Sequence, residues 1–140
     1  MNNKEYGDLV NAEHYPEDNV VPLDPPFMDE RGTIQNLWLA ASGSITLITS
    51  KKGAVRANHY HQHDWHAVHV ISGSLEYYER AIDDVNANPE PKIIRAGEMI
   101  FSKPFVVHKM IFPEDCVMIT INGIVKNHDN YESSVVRVEF

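Results

Sequence analysis

The chain has 140 residues, 43% of them hydrophobic and 23% charged, a length and balance that predict one folded domain and exclude disorder, collagen and low-complexity sequence. Twelve basic residues stand against twenty acidic ones, a formal charge of −8 that argues against nucleic acid and anionic lipid as partners. Apolar runs are too short for a bilayer-spanning helix, the polar start Met1–Glu5 predicts no secretory leader, and a single cysteine, Cys116, fits a cytoplasmic setting without disulfides.

Residues 1–26 are polar and carry Pro16, Pro22, Pro25 and Pro26. Each proline lacks a backbone donor, so the segment predicts an arm or edge piece laid over the body and not a central strand. From Phe27 to Phe140 short β-type runs alternate with turns, as one domain: 33–39, 44–49, 55–61, 66–71, 74–80, 92–95, 98–102, 106–112, 117–121 and 134–140. β-Branched and aromatic residues dominate these runs, and turns recur every eight to twelve residues or so, which predicts an all-β sandwich or barrel. Residues 83–92, with Pro89 and Pro91, read as a loop, and a helical turn is expected near 80–86.

Five of the eight histidines fall within the eleven residues from His59 to His69. On a strand, His59 and His61 point to the same face, and two nitrogens converging from one strand make half a metal site. Residues 62–65 connect to a second strand, where His66 can stand opposite that pair. His108 opens a further run downstream. Four imidazoles suit one divalent transition metal, zinc foremost with nickel, iron or manganese as alternatives, and suit magnesium or calcium poorly. His63 falls where the chain turns and is expected at the rim; His69 has the parity opposite to His66 and faces away. His14 and His128, in polar segments, are expected at the surface.

These residues resemble the cupin superfamily. Gly53, His59, His61, His66 and Gly73 fall on the spacing of its first motif, with His66 where the family usually has Glu. Gly97 and His108 keep the spacing of the second, with Lys103 and Phe105 where Pro and Gly are usual. The resemblance covers roughly Gly53 to His108 and implies a jelly-roll barrel with the metal inside. The departure at His66 removes one negative charge from the ligand set. Asp29-Glu30-Arg31-Gly32 and Arg56-Ala57-Asn58-His59-Tyr60 are similar to stretches of the sugar-nucleotide epimerases of this superfamily, and the second also resembles the zinc cupin domain of capsular-polysaccharide reductases. In the epimerases the matching histidine is the base and the site has no metal, so His59 is claimed for two roles. Tyr131-Glu132 and Val136-Arg137-Val138 look like the tail of small cupins of surface-polysaccharide synthesis.

A nucleotide sugar needs cations for its pyrophosphate, and Arg31, Arg56 and Lys103 are the substrate-binding candidates. Arg56 precedes His59 by three residues, and strand parity aims it away from the metal unless a bulge intervenes, which favours Arg31. The catalytic candidates are His59, Tyr60, Glu76 and Tyr78; Tyr77 and Glu98 belong to the same wider pool of proton donors and bases. Cys116 is expected in the core. The function expected is isomerisation or epimerisation of a sugar or nucleotide sugar in surface-polysaccharide synthesis, by a metal-dependent homodimer. The alternatives are an iron(II) dioxygenase and a non-enzymatic module binding metal or a small ligand.

Overall fold

The computed structural model describes residues 19–38, 41–123 and 135–140. The expected arm up to Asp18, His14, His128 and the Tyr131-Glu132 segment lie outside the described residues. Among the described residues, eleven strands follow in chain order: β1 Phe27–Asp29, β2 Gly32–Ile34, β3 Ser44–Ser50, β4 Val55–His61, β5 His66–Ser72, β6 Ser74–Ala81, β7 Lys92–Arg95, β8 Met99–Ser102, β9 Val106–Ile111, β10 Cys116–Asn122 and β11 Val135–Arg137. The expected helical turn near 80–86 is absent; bends and a turn connect β6 to the loop before β7.

β1 and β2 form a hairpin of their own. The other strands make two antiparallel sheets, β3-β10-β5-β8 and β11-β4-β9-β6-β7, facing each other as a cupin-type jelly roll. Alternation along each strand divides the apolar residues between two layers. Val68, Val70, Ile100 and Met118 of the four-stranded sheet meet Leu75, Tyr77, Ile94 and Met110 of the five-stranded sheet to form the core between them, and Cys116 is buried there. Burial, with a smaller contribution from Glu114, pushes the Cys116 thiol pKa up, so it behaves as a small apolar side chain.

The residues of opposite parity, Ala67, Met99, Phe101 and Ile121, form a second cluster on the outer face of the four-stranded sheet with Trp65, Val21, Leu23, Leu37 and Trp38. Trp38 stacks on Trp65 with ring centroids 4.8 Å apart. The end of the proline-rich segment runs along the free edge of β8. There the Val21 amide donates to the Met99 carbonyl at 2.9 Å, and the Phe101 amide donates to the Asn19 carbonyl at 2.6 Å. The arm thus satisfies backbone groups that an edge strand would leave exposed.

The sharp turn between β5 and β6 depends on Gly73. Its φ is +78°, and a β-carbon there would stand 2.1 Å from the Asp115 carbonyl oxygen.

Candidate metal centre and active site

β4 and β9 pair with His59 directly opposite His108. The register shifts between Ala57 and His59, and Ala57 and Asn58 hold positive φ values of 72° and 52°. This bulge, an extra residue in one strand, re-aims the side chains beyond it. It brings Arg56, opposite Met110, onto the face that carries His59 and His108. The Arg56 guanidinium nevertheless donates to Ser50 Oγ at 2.8 Å and to the Thr49 carbonyl at 3.0 Å, at the far end of the strand from the histidines.

His59, His61, His66 and His108 are all buried and stand together at one end of the barrel interior. Ring centroids are 4.6 Å apart for His59 and His61, 4.7 Å for His59 and His108, and 4.0 Å for His61 and His66. His59, His61 and His108 can each offer a donor atom within 4.8 Å of the others, and so can His61, Asp64 and His66. Buried imidazole nitrogens with one carboxylate suit a borderline divalent cation. His108 Nδ1 lies 3.3 Å from the Val106 carbonyl, the type of outer contact that fixes the tautomer of a ligating histidine.

Asp64 was not among the sequence candidates. It lies in the turn between β4 and β5, where an acidic residue ordinarily meets solvent, yet it is only 1% exposed. Its Oδ1 accepts the amides of Trp65 and Gly123, each at 2.9 Å, and its Oδ2 lies 3.5 Å from His66 Nε2. Asn122 was also missed. It is the cross-strand partner of His66 on β10, is 3% exposed, and its Oδ1 makes no hydrogen bond.

β6 presents different residues to the interior from those expected. Glu79 pairs with His108 and Tyr77 with Met110, so these two share the histidine face. The Tyr77 hydroxyl and Ser102 Oγ are 2.6 Å apart, and the Tyr77 ring lies 6.1 Å from that of His108. Burial above all, reinforced by the Glu79 charge, raises the Tyr77 pKa well above the ordinary tyrosine value, so its hydroxyl keeps its proton. Glu79 Oε2 accepts from Asn19 Nδ2 at 2.8 Å, and Lys92 Nζ donates to Asn19 Oδ1. A cleft of about 480 Å³ is lined by Asn19, Tyr77, Glu79, Arg80, Lys92 and Val106, and it meets the histidine face through Tyr77 and Glu79.

Glu76 and Tyr78 have the opposite parity and face outward. The Tyr78 hydroxyl donates to Glu76 Oε2 at 2.8 Å, and Lys109 Nζ stands over the Tyr78 ring. Tyr60, between His59 and His61, likewise projects from the other face, opposite Val136. Glu98 accepts the Arg95 amide in the turn before β8. Arg31 is exposed and tied to Asp29 at 2.6 Å on the β1–β2 hairpin. Lys103 lies in the turn between β8 and β9, where the Phe105 amide donates to the His61 carbonyl at 2.7 Å. Among the described residues, Arg137 of β11 is a cation adjacent to the cluster: its Nη1 lies 3.3 Å from His59 Nδ1 and donates to the Ala57 carbonyl at 3.0 Å. His63 is exposed in the turn. His69 pairs with Met99 and Ile119 on the outer face, as parity requires, and burial lowers its pKa.

No protein-family model matches the sequence, and no curated protein matches it. Solved structures do. The capsular polysaccharide assembling protein CapF of Staphylococcus aureus matches at 19% identity and a TM-score of 0.59, over 86% of this chain and 32% of CapF. The chain thus spans about a third of the length of that protein. The 3,4-ketoisomerase QdtA of Thermoanaerobacterium thermosaccharolyticum, a double mutant in complex with TDP, matches at 21% identity and a TM-score of 0.65, over 85% of this chain and 87% of QdtA. The dTDP-6-deoxy-D-glucose-3,5-epimerase RmlC of Legionella pneumophila, in complex with dTDP-4-keto-L-rhamnose, matches at 15% identity and a TM-score of 0.64, over 83% of this chain and 70% of RmlC. At these identities the likeness is one of fold, and the fold is the cupin jelly roll.

Proposed function

We propose that the protein is a metal-binding isomerase or epimerase of a nucleotide sugar serving surface-polysaccharide synthesis. The observation that carries this reading is the shared interior face of His59, His61, His66 and His108 with Tyr77, Ser102 and Glu79, of which Tyr77 and Glu79 also line the cleft. The reading is supported by the fold shared with QdtA, solved elsewhere in complex with TDP-4-keto-6-deoxyglucose, and with RmlC. One fold hosts many chemistries, so the site residues carry more weight here than the fold does.

A divalent cation on the buried donors supplies Lewis acidity toward a sugar carbonyl. The chain itself must move a carbon-bound proton, and its interior carriers are His59, Tyr77 and Glu79. Glu76, Tyr78 and Tyr60 face away from that volume. Arg137, beside His59, is the cation placed for a phosphate, ahead of Arg31, Arg56 and Lys103.

The active form is a homodimer in the cytoplasm. Its interface includes the outer face of β3, where Ile45 and Leu47 are 67% and 65% exposed, and the hairpin residues Phe27, Met28 and Ile34. Exposed apolar surface on an open edge strand calls for a partner.

The test is thermal denaturation with a panel of nucleoside diphosphate sugars. Preferential binding to the folded state raises the melting temperature. A uniform absence of shift refutes the reading. A second reading, an iron(II) oxygenase, is favoured by one observation, the two-histidine, one-carboxylate set of His61, Asp64 and His66. Oxygen uptake with bound iron separates it from the first.

A further inference from the structure

We infer that the resident cation is seated on His61, Asp64 and His66, with His59 outside its ligand set. This rests on the reading of the site as metal-binding and specifies the residues that make it so.

Three observations converge. The distance between His66 Nε2 and Asp64 Oδ2 is 3.5 Å. A charge-assisted hydrogen bond between such atoms closes to about 2.7–2.9 Å. Two donors bound to one tetrahedral ion at about 2.0–2.2 Å stand about 3.3–3.6 Å apart. The observed separation is that of two ligands sharing a cation. Asp64 is also prepared for the role: two amides hold Oδ1, which leaves the carboxylate oriented with Oδ2 toward His66. It returns the negative charge that is lost where His66 takes the place of Glu in the cupin pattern.

The second observation concerns His59. Its Nδ1 is 3.3 Å from Arg137 Nη1, and a guanidinium is always a donor and always charged. A permanent positive charge at that distance opposes a second cation on the same ring. The arrangement separates the two roles claimed for His59: the metal seat moves one step toward β5, and His59, beside Arg137, keeps the role of base.

The third is Asn122. Its Oδ1 is buried without a hydrogen bond, on the residue paired with His66. A buried acceptor of this kind costs stability unless a ligand satisfies it. A cation, or a water or hydroxyl bound beside one, does so.

The experiment is titration of the metal-free full chain with cobalt(II), followed by its visible absorption, with zinc(II) competition for affinity. Asp64→Asn keeps Oδ1 for both amides and removes the charge of the ligating oxygen, so the fold is retained. The expected result is a loss of cobalt affinity of about 100-fold or more in Asp64→Asn, His66→Gln and His61→Gln, with an altered or absent absorption band, against a change within about 10-fold and an unaltered band in His59→Gln. Wild-type affinity and spectrum in Asp64→Asn, or loss of the band in His59→Gln, overturns the inference, as does a wild-type chain that binds neither metal. None of these readouts uses a sugar, so their failure is distinct from failure of nucleotide-sugar binding.

Discussion

Asp64 and Gly123, 59 positions apart, are joined by a 2.9 Å hydrogen bond from the Gly123 amide to Asp64 Oδ1, which ties the turn after β4 to the end of β10. The join extends the pairing of β5 with β10 beyond His66 and Asn122 and fixes the Asp64 turn beside them. Gly123 also lies under Trp65, and a β-carbon there would stand 2.4 Å from Trp65 Nε1. Gly123→Ala must therefore displace the indole from its stack with Trp38 and loosen the Asp64 brace. Overpacking of this kind costs about 1–3 kcal/mol. Chemical denaturation should show that loss, and cobalt affinity should fall with it.

Tyr77 and Tyr78 are adjacent and chemically identical, yet they face opposite sides of the sheet. Tyr77→Phe leaves Ser102 Oγ without its 2.6 Å partner inside the barrel, a cost of about 1–3 kcal/mol. Tyr78→Phe loses only a contact to Glu76 at the surface, worth less than about 1 kcal/mol. The same pair should separate in turnover, with Tyr77→Phe impaired and Tyr78→Phe near wild type. Denaturant melts and steady-state kinetics of the two variants check both halves.

That pair also shows where the sequence is legible and where it is not. β3 to β10 fall within about two residues of the expected runs because β-branched residues and turn glycines mark them. The histidine set is legible because spacing by two on a strand fixes a common face. β6 is different: Glu76-Tyr77-Tyr78-Glu79 offers a tyrosine and a glutamate to either face, so its pattern cannot choose between them. Pairing of Glu79 with His108 decides it, and that pairing is set by long-range register. Asp64 was illegible for another reason. Its burial depends on the Gly123 amide far along the chain, and a lone acid in a turn carries no signal of that. Arg137 reaches His59 through the pairing of β11 with β4, again a contact without a local mark.

Arg137 and Arg31 give a direct contrast in nucleotide binding. Arg31 is engaged with Asp29 on an exposed hairpin, while Arg137 stands beside His59. Arg137→Ala should shrink the melting-temperature shift produced by a nucleoside diphosphate sugar by more than half, and Arg31→Ala should leave most of it. Equal shifts in the two variants would place the phosphates elsewhere.

Ile45→Lys with Leu47→Lys puts charge on the exposed face of an open edge strand, the device by which edge strands are kept from pairing. The double variant should sediment as a monomer at micromolar concentration while its metal content is unchanged. A wild-type chain that is itself monomeric under those conditions refutes the dimer.

The most direct test of the proposed activity is proton exchange. The metal-loaded protein is incubated with TDP-4-keto-6-deoxyglucose in heavy water and followed by proton NMR. Abstraction and return of a proton beside the carbonyl predicts loss of that signal as deuterium enters, with a new set of sugar resonances, and no exchange in the Asp64→Asn variant. An unchanged sugar spectrum after prolonged incubation with fully metal-loaded protein would contradict isomerase or epimerase action on this substrate class.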